Sequence, residues 1–200
     1  MTTNKNGTSG KEYTERLQQL EHKKWKDILD VQRPYRWNIR RLEPGKTLDI
    51  GCGIGRNLRH LPKGSVGVDH NKHSIDKINN EGLIGFVAKD FTKSKYAKKG
   101  RFDSMLLAHV IEHMKASEAN EIIKSYLPYI HKGGKVIVIC PQKKGFASDK
   151  THITFYDRRK ISKLLTSLGL EVVKKQSFPF HEKVGNVFTY NEYVVVGLKL

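Results

Sequence analysis

The sequence of 200 residues predicts an α/β protein with a doubly wound, mostly parallel sheet that ends in an antiparallel hairpin. From residue 46 onward, short and nearly continuous apolar segments, typical of strands covered on both faces, alternate with amphipathic helical segments. The last two apolar segments are joined by a loop alone, so we expect them to pair antiparallel. No stretch approaches the roughly 20 apolar residues of a membrane-spanning helix.

The composition indicates one globular domain of ordinary size with a strong excess of positive charge. The chain carries 37 Lys and Arg against 20 Asp and Glu, a net charge of +17. Such an excess predicts attraction to nucleic acid, an acidic membrane surface or an anionic substrate, although a general lysine bias would produce the same number. Two cysteines, Cys52 and Cys140, exclude a disulfide framework, and the N-terminus lacks the apolar segment of a secretion signal. We therefore expect a cytoplasmic protein.

The chain divides into a short tail, a helical cap and one main domain. Residues 1–10 are polar and are expected to be disordered. Apolar residues then follow a helical stripe that Pro34 ends, and a basic, aromatic connector leads to the first strand. Residues 11–45 are interpreted as an N-terminal helical cap, and residues 46–200 as the α/β domain.

Seven strands are predicted in the main domain, each a short apolar run bounded by turn-forming or polar residues. They cover residues 47–50, 65–69, 84–88, 102–108, 135–140, 170–176 and 189–198. One helix is expected from Arg56, after the first strand. A second presents an apolar face through Ile130 and stops at Gly133. A third starts at Asp157 as N-cap and stops at Gly169.

A glycine-rich loop follows the first predicted strand directly. Gly51, Gly53 and Gly55 stand at alternate positions, so the backbone can turn sharply and approach a ligand with no Cβ in the way. A dinucleotide-binding loop would need another glycine where this chain has Arg56. Asp49, two residues before the first glycine, also argues against a diphosphate and suits a ligand with an ammonium group.

Two further carboxylates stand at the ends of the second and third predicted strands. Asp69 lies where a carboxylate can accept both hydroxyls of a ribose. Asp90 could accept an adenine amino group while the ring of Phe91 packs on the base. Together with Asp49, these groups predict one ligand that carries an amino acid, a ribose and an adenine.

The same segments resemble the class I S-adenosylmethionine-dependent methyltransferases, most closely the small-molecule branch with ubiquinone-biosynthesis and natural-product enzymes. The resemblance spans roughly residues 46–175 and is carried by LDIGCGIG, VGVDHN, AKDF, FDSMLLAHVIEHM and KGGKVIVICP, in that order. It implies a Rossmann-like fold and S-adenosylmethionine as cofactor. The cofactor-binding residues it implies are Asp49, Gly51, Cys52, Gly53 and Gly55 around the methionine portion, Asp69 and His70 at the ribose, Asp90 and Phe91 at the adenine, and His109 through its backbone.

A catalytic base is expected after the fourth predicted strand, because acceptors enter at the carboxyl ends of parallel strands. Histidine accepts a proton near neutral pH, so His109 and His152 are the predicted catalytic residues. Glu112 and His113 share a helical face with His109. In related small-molecule enzymes the corresponding Glu-His pair is structural, and the resemblance favours that role here.

These side chains also permit a metal-binding interpretation. His109, Glu112, His113 and His152 could ligate a divalent ion through three imidazoles and one carboxylate. The small-RNA 2′-O-methyltransferases have a similar Glu-x-x-Glu-His motif and a distant His, but this chain has His109 in place of the first Glu. Imidazoles at functional clefts more often serve as acid–base or hydrogen-bonding groups, so we predict no metal site.

The predicted function is methyl transfer to O or N of a small, anionic or aromatic metabolite. Basic residues in segments 89–101 and 143–163, near the face where the acceptor enters, favour an anionic acceptor. An RNA methyltransferase is the first alternative, although no RNA-binding appendage is recognisable. A catalytically silent cofactor-binding module is the second. No membrane association is expected.

Overall fold

The chain forms a seven-stranded sheet flanked by helices; the computed structural model describes Glu15 and residues 33–200. The strands are β1 (Thr47–Ile50), β2 (Val66–Asp69), β3 (Gly85–Val87), β4 (Phe102–Ala108), β5 (Ile130–Pro141), β6 (Leu170–Phe178) and β7 (Glu192–Lys199). The helices are α1 (Arg33–Arg41), α2 (Lys72–Asn80), α3 (Ala88–Phe91), α4 (Ala116–Tyr126), α5 (Lys143–Ala147) and α6 (Arg158–Ser167). Short 3₁₀ helices cover Leu58–His60, Ile111–His113, Leu127–Tyr129 and Glu182–Asn186.

The strand order is β3-β2-β1-β4-β5-β7-β6, and β7 runs antiparallel to both of its neighbours while the other pairs are parallel. This confirms the predicted doubly wound sheet with an antiparallel pair at its C-terminal end. From β1, the strands β2 and β3 are added on one side of the sheet and β4 and β5 on the other, so the order of strand addition reverses between β1 and β4. The carboxyl ends of these two strands therefore border the crevice in which open α/β sheets bind ligands.

Apolar layers cover both faces of the sheet. On one face α4 and α6 bury side chains such as Ile123 and Ile161. On the other, Ile39 of α1 and Leu42, the residue after this helix, pack against β4, β5 and β7. This double burial explains the nearly continuous apolar runs of the strands. Within the described residues, no helix combines the length and the apolar character needed to cross a membrane.

The ends of α6 confirm their prediction. Asp157 is the N-cap, and its Oδ1 accepts a hydrogen bond from the backbone N of Lys160 at 2.8 Å. After Ser167 the chain leaves the helix, and Gly169 takes φ +77°, the left-handed conformation that favours glycine. The helix therefore has the defined ends that its sequence signals indicated.

The segment before β1 differs from its prediction. The residues expected to form a connector are α1, and Pro34 lies in the first turn of this helix, where its missing N–H removes no helical hydrogen bond. The predicted tail, and the predicted cap before residue 33 apart from Glu15, lie outside the described residues. The division into tail, cap and domain stays a prediction.

Two other helix predictions are wrong. The helix expected to continue through Ile130 ends at Tyr126, because Ile130 already pairs within the sheet and begins β5. Gly133 takes φ +80° inside that strand, next to a register shift. The helix expected from Arg56 is also not formed: the described chain has only the 3₁₀ helix Leu58–His60 there. The glycine-rich loop is therefore held by hydrogen bonds to β2, from the backbone and from Asp69, rather than by the start of an α-helix.

Candidate active site

The glycine-rich loop turns at the carboxyl end of β1. Gly51, Gly53 and Gly55 have φ of +68°, +50° and +82°, a conformation that costs other residues about 1–2 kcal/mol. The backbone N of Gly51 donates to Val68 O at 2.7 Å, which fixes the loop to β2. A Cβ on Gly51 would lie 2.6 Å from a methyl group of Val110. Both the conformation and the close approach of the segment after β4 therefore require glycine at this position.

Asp69, the last residue of β2, holds the loop through its carboxylate. Oδ2 accepts a hydrogen bond from the backbone N of Gly53 at 2.8 Å, and Oδ1 accepts one from the backbone N of Asn71 at 2.8 Å. The Nδ1 atom of the exposed His70 lies 3.4 Å from Oδ1. Because an ionised carboxylate offers about four acceptor positions, this side chain can fix the loop and still accept hydroxyl groups of a ligand.

Asp49 lies in β1 with its carboxyl group sealed from solvent. The residue is 1% exposed, and its Oδ2 atom has no hydrogen-bond partner among the described residues. Burial, reinforced by the negative charge of Asp69, raises the pKa of Asp49 to about 8. A buried carboxyl group without a partner is costly, and a ligand ammonium group beside it would remove that cost. The site therefore fits the amino-acid portion predicted from the sequence.

Cys52 and Gly55 are placed by the packing of the loop. The Cys52 side chain is buried against Gly67, where an added Cβ would lie 2.6 Å from Sγ. Burial also raises the pKa of this thiol. A Cβ on Gly55 would lie 2.9 Å from a methyl group of Ile78 in α2. The side chain of Cys52 thus belongs to the apolar layer beneath the loop, and only its backbone could contribute to a ligand site.

Asp90 and Phe91 lie in α3, at the carboxyl end of β3. Asp90 is exposed, as a ligand contact requires. The ring of Phe91 is fully buried, with centroid separations of 5.7 Å to Tyr126 and 5.1 Å to Tyr129. The role expected for this ring on an adenine base is therefore corrected. Phe91 is a core residue, because the tyrosines before β5 surround it.

His109 follows β4 directly and lies between two carboxylates. Its backbone has φ +59°, and its backbone N donates to Ile139 O at 2.9 Å. Nε2 is hydrogen-bonded to Oε1 of Glu192 at 2.7 Å, and Nδ1 lies 3.3 Å from Oε1 of Glu112. Loss of solvent contact alone would lower the pKa of His109, but the charges of the two glutamates and the hydrogen bond with Glu192 raise it to about 10. A pKa raised in this way makes His109 a weaker candidate for the predicted role of base, which stays a prediction.

His152, the other predicted base, has a different environment. Its Nδ1 atom is hydrogen-bonded to Phe146 O at 2.8 Å, so in the neutral ring Nδ1 carries the proton and Nε2 the lone pair. The ring stacks on Phe146 at 5.2 Å and lies 4.7 Å from the ring of His113. The geometry thus leaves His152 able to accept a proton and brings it together with His113.

One group among the described residues could hold a metal ion. Glu112, His113 and His152 each place a ligand atom within 4.8 Å of the others. His109 is not in this group, although its Nδ1 atom lies 3.3 Å from Oε1 of Glu112. The Nδ1 atom of His113 lies 3.1 Å from Oγ1 of Thr151. The four-residue set considered from the sequence is therefore not assembled, and we keep the prediction of no metal.

Chelation provides the test of that prediction. Treatment with EDTA followed by gel filtration is expected to leave both methyl transfer and the unfolding temperature unchanged, because no step needs an ion. Elemental analysis of the purified protein checks the same point. One equivalent of bound metal, or activity restored after chelation by Mg²⁺, Mn²⁺ or Zn²⁺, would contradict it.

The strand order and the glycine-rich loop after β1 are those of a class I S-adenosylmethionine-dependent methyltransferase. Residues 17–175 match the family model Methyltransf_23, described as a methyltransferase domain. The chain belongs to this methyltransferase family. None of the curated protein sequences matches it.

Solved structures share the fold at low sequence identity. A methyltransferase of Thermotoga maritima is 16% identical with a TM-score of 0.68, over 94% of this chain and 98% of that one. One from Archaeoglobus fulgidus is 18% identical with a TM-score of 0.62, over 86% and 99% of the two chains. A Haloferax volcanii methyltransferase, solved with the activator Trm112, is 13% identical with a TM-score of 0.66, over 99% and 98%. At these identities the likeness establishes the fold alone.

Glu192 is the site residue that sequence reasoning missed. It stands at the start of β7, 83 residues after His109, and was included in the last predicted strand without a role. The only local signal is a carboxylate directly before an apolar run, at an end of the sheet where the other site residues also stand. Because β7 is antiparallel, its first residue lies at the carboxyl edge of β4 and β5.

Proposed function

We propose that this methyltransferase binds its cofactor through the three strand-end carboxylates and methylates O or N of a small, anionic or aromatic acceptor. Asp49 would receive the ammonium group, Asp69 the ribose hydroxyls and Asp90 the adenine amino group. When bound, S-adenosylmethionine supplies a methyl group on a sulfonium. The unpartnered Oδ2 of Asp49 supports this assignment most directly, since it is a buried acceptor without a donor.

The surroundings of Glu192 support a small acceptor. The hydroxyl of Tyr35 in α1 donates to Tyr190 O at 2.7 Å, which joins α1 to the connection between β6 and β7. Burial, together with the nearby charge of Glu192, raises the pKa of Tyr35. Phe188 packs edge-on against both Phe180 and Tyr190. Tyr35 therefore lies close to Glu192, and the exposed rings of Phe180 and Tyr190 provide an aromatic surface on the same connection, which supports a small, aromatic acceptor.

The chain's own contribution to the reaction is orientation and proton removal. In-line placement of the acceptor can supply a large part of the acceleration of a direct displacement. An acceptor hydroxyl or ammonium must also lose a proton. His152 can accept it through Nε2, since its Nδ1 is held by Phe146 O. His109 cannot do so while both of its nitrogens face carboxylates.

An RNA methyltransferase is the second candidate, favoured by the exposed lysines after β3. Lys89, Lys93, Lys95, Lys98 and Lys99 are exposed, and none forms an ion pair with a residue that the structure describes. However, Gly100 N donates to Pro128 O at 3.0 Å, at the amino edge of the sheet. The second half of this segment therefore lies away from the acceptor face, contrary to the sequence expectation. The positive charge of segment 89–101 is therefore divided between the carboxyl and the amino edge of the sheet.

A labelled-methyl assay separates these candidates. S-adenosylmethionine labelled in its methyl group would be offered with three acceptor pools: small phenols, carboxylates and amines; RNA; and protein. We expect label in the small-molecule pool only. Label in RNA, with an RNA affinity that falls steeply with salt, would favour the second candidate. Calorimetric binding of the cofactor without transfer to any pool would indicate a silent cofactor-binding module.

The two buried, free cysteines are compatible with the cytoplasmic location we propose.

A further inference from the structure

The imidazole of His109 is held from two sides by different parts of the fold. Glu192 reaches Nε2 from β7, and Glu112 approaches Nδ1 from the 3₁₀ helix after β4. A neutral imidazole has one N–H and one lone pair, so it cannot offer a donor to both carboxylates at once. A carboxylate beside each ring nitrogen therefore favours the doubly protonated imidazolium.

The burial of Glu112 leads to the same conclusion. This residue is 1% exposed, and neither carboxylate oxygen has a hydrogen-bond partner among the described residues. A buried carboxylate without hydrogen bonds needs a positive charge nearby. His113 does not supply it, because burial, with the charge of His152, lowers the pKa of His113. His109, 3.3 Å away, is the charge that balances Glu112.

Glu192 is itself held firmly. Its backbone is paired in the sheet on both sides, with Pro141 of β5 and Phe178 of β6. Its carbonyl oxygen accepts a hydrogen bond from Nε2 of Gln142 at 3.0 Å. Gln142 also accepts a bond at its Oε1 from Nδ2 of the fully buried Asn191. A carboxylate on such a frame can orient a partner, unlike one on a free loop.

The other titratable groups around the pair carry no competing positive charge. From α1, Tyr35 has its pKa raised by burial and by the charge of Glu192. From β5, burial and the charge of Glu112 raise the pKa of Cys140 well above its usual value. Both groups are neutral at pH 7. The counter-charge for the two glutamates thus falls on His109.

We propose that Glu192 is a positioning residue that, with Glu112, holds His109 as a fixed imidazolium beside the acceptor. In this arrangement His109 has no lone pair for the reaction, although 40% of its side chain is exposed. Its backbone is also in the left-handed region, with φ +59°. The role beside the acceptor depends on the proposed function, whereas the protonation of His109 does not.

Histidine NMR of the intact chain tests the protonation directly. With ¹⁵N-labelled histidine and the His109 signals assigned from His109→Asn, we expect His109 of the native chain to remain protonated through pH 8. In Glu192→Gln the pKa of His109 should be lower by one unit or more, a tenfold larger acid dissociation constant, because one carboxylate charge is gone. Glu182→Gln is the matched control, since Glu182 pairs with Arg158 and not with a histidine. A native His109 that titrates near pH 6.5, or one that Glu192→Gln leaves unchanged, would overturn the proposal.

A conservative variant and a kinetic measurement complete the test. Glu192→Asp keeps the charge and should restore most of the His109 behaviour, so it remains informative if the Gln variant does not fold. In an active preparation, Glu192→Gln should lower kcat and shift its pH profile, with S-adenosylhomocysteine affinity unchanged. An unshifted profile would overturn the role beside the acceptor. A chain that does not bind S-adenosylhomocysteine would instead refute the proposed function, while the NMR titration would still test the pairing.

Discussion

Replacing Asp69 with alanine is expected to weaken S-adenosylhomocysteine binding by about 10²-fold or more, since each hydrogen bond to a charged group contributes about 1.5–3 kcal/mol. Removing the carboxylate would have two effects at once. The proposed contact with the ribose hydroxyls would be lost, and the backbone N–H groups of Gly53 and Asn71, which Asp69 now holds at 2.8 Å, would be released. The glycine-rich loop would then no longer be fixed from the side of β2. Isothermal titration calorimetry measures the affinity.

Asp76→Ala is the matched control for this experiment. Asp76 lies seven residues further along the chain, in α2. It is exposed, and its Oδ2 atom pairs with Nζ of Lys72 at 2.6 Å. The control should bind S-adenosylhomocysteine like the native chain, because exposed ion pairs contribute little. Circular dichroism and thermal unfolding would show whether Asp69→Ala remains folded. A folded Asp69→Ala variant that binds within twofold of the native affinity would refute the assignment of Asp69.

Replacing Asp49 with asparagine is expected to make the chain more stable than the native one at alkaline pH. Asp49 has a pKa of about 8 in the folded chain, against 3.8 as its ordinary value. The folded state therefore binds more protons than the unfolded state between about pH 4 and pH 8, and the free energy of unfolding falls as pH rises through this window. At about 1.4 kcal/mol for each pKa unit, the loss amounts to several kcal/mol. Asparagine has no such charge to bury.

Urea unfolding at pH 5 and at pH 8.5 measures this effect. The advantage of Asp49→Asn over the native chain should be small at pH 5 and large at pH 8.5. Asp76→Asn, which removes an exposed carboxylate, should follow the native chain at both pH values. If the difference in the free energy of unfolding between Asp49→Asn and the native chain is the same at both pH values, the carboxyl group of Asp49 is not held in its neutral form.

Cofactor binding gives a second measurement on the same residue. If the ligand ammonium binds beside Asp49, the carboxyl group ionises and releases a proton near pH 7. Calorimetric titration of S-adenosylmethionine in buffers of different ionisation enthalpy counts the released protons. We expect a release approaching one proton for the native chain and none from this position in Asp49→Asn, together with weaker binding. Equal proton counts for the two chains would exclude the assignment of the ammonium group to Asp49.

Much of the fold follows from local sequence signals. The apolar runs place strands at or close to their observed bounds, and Asp157 and Gly169 mark the ends of α6 as their chemistry requires. The glycines of the loop adopt the left-handed conformations for which their residue type is suited. Such signals depend on the preferences of single residues and their immediate neighbours, so they are visible in one sequence. The errors occur where packing overrides preference, as at Ile130, which the sheet takes from the predicted helix.

The residues of the candidate site can also be separated into those that local sequence signals predict and those that depend on packing. The sequence predicts the class of protein and places the carboxylates Asp49, Asp69 and Asp90 at one edge of the sheet, because the order of motifs along a parallel sheet also sets which edge they share; their roles as ligands stay proposals. The contacts within the folded chain were needed to show that the ring of Phe91 lies in the core and that His109 is paired with Glu192. Burial and ion pairing depend on contacts between residues far apart in the chain. These contacts set the charge of each group, and a pattern of neighbouring residues does not contain them.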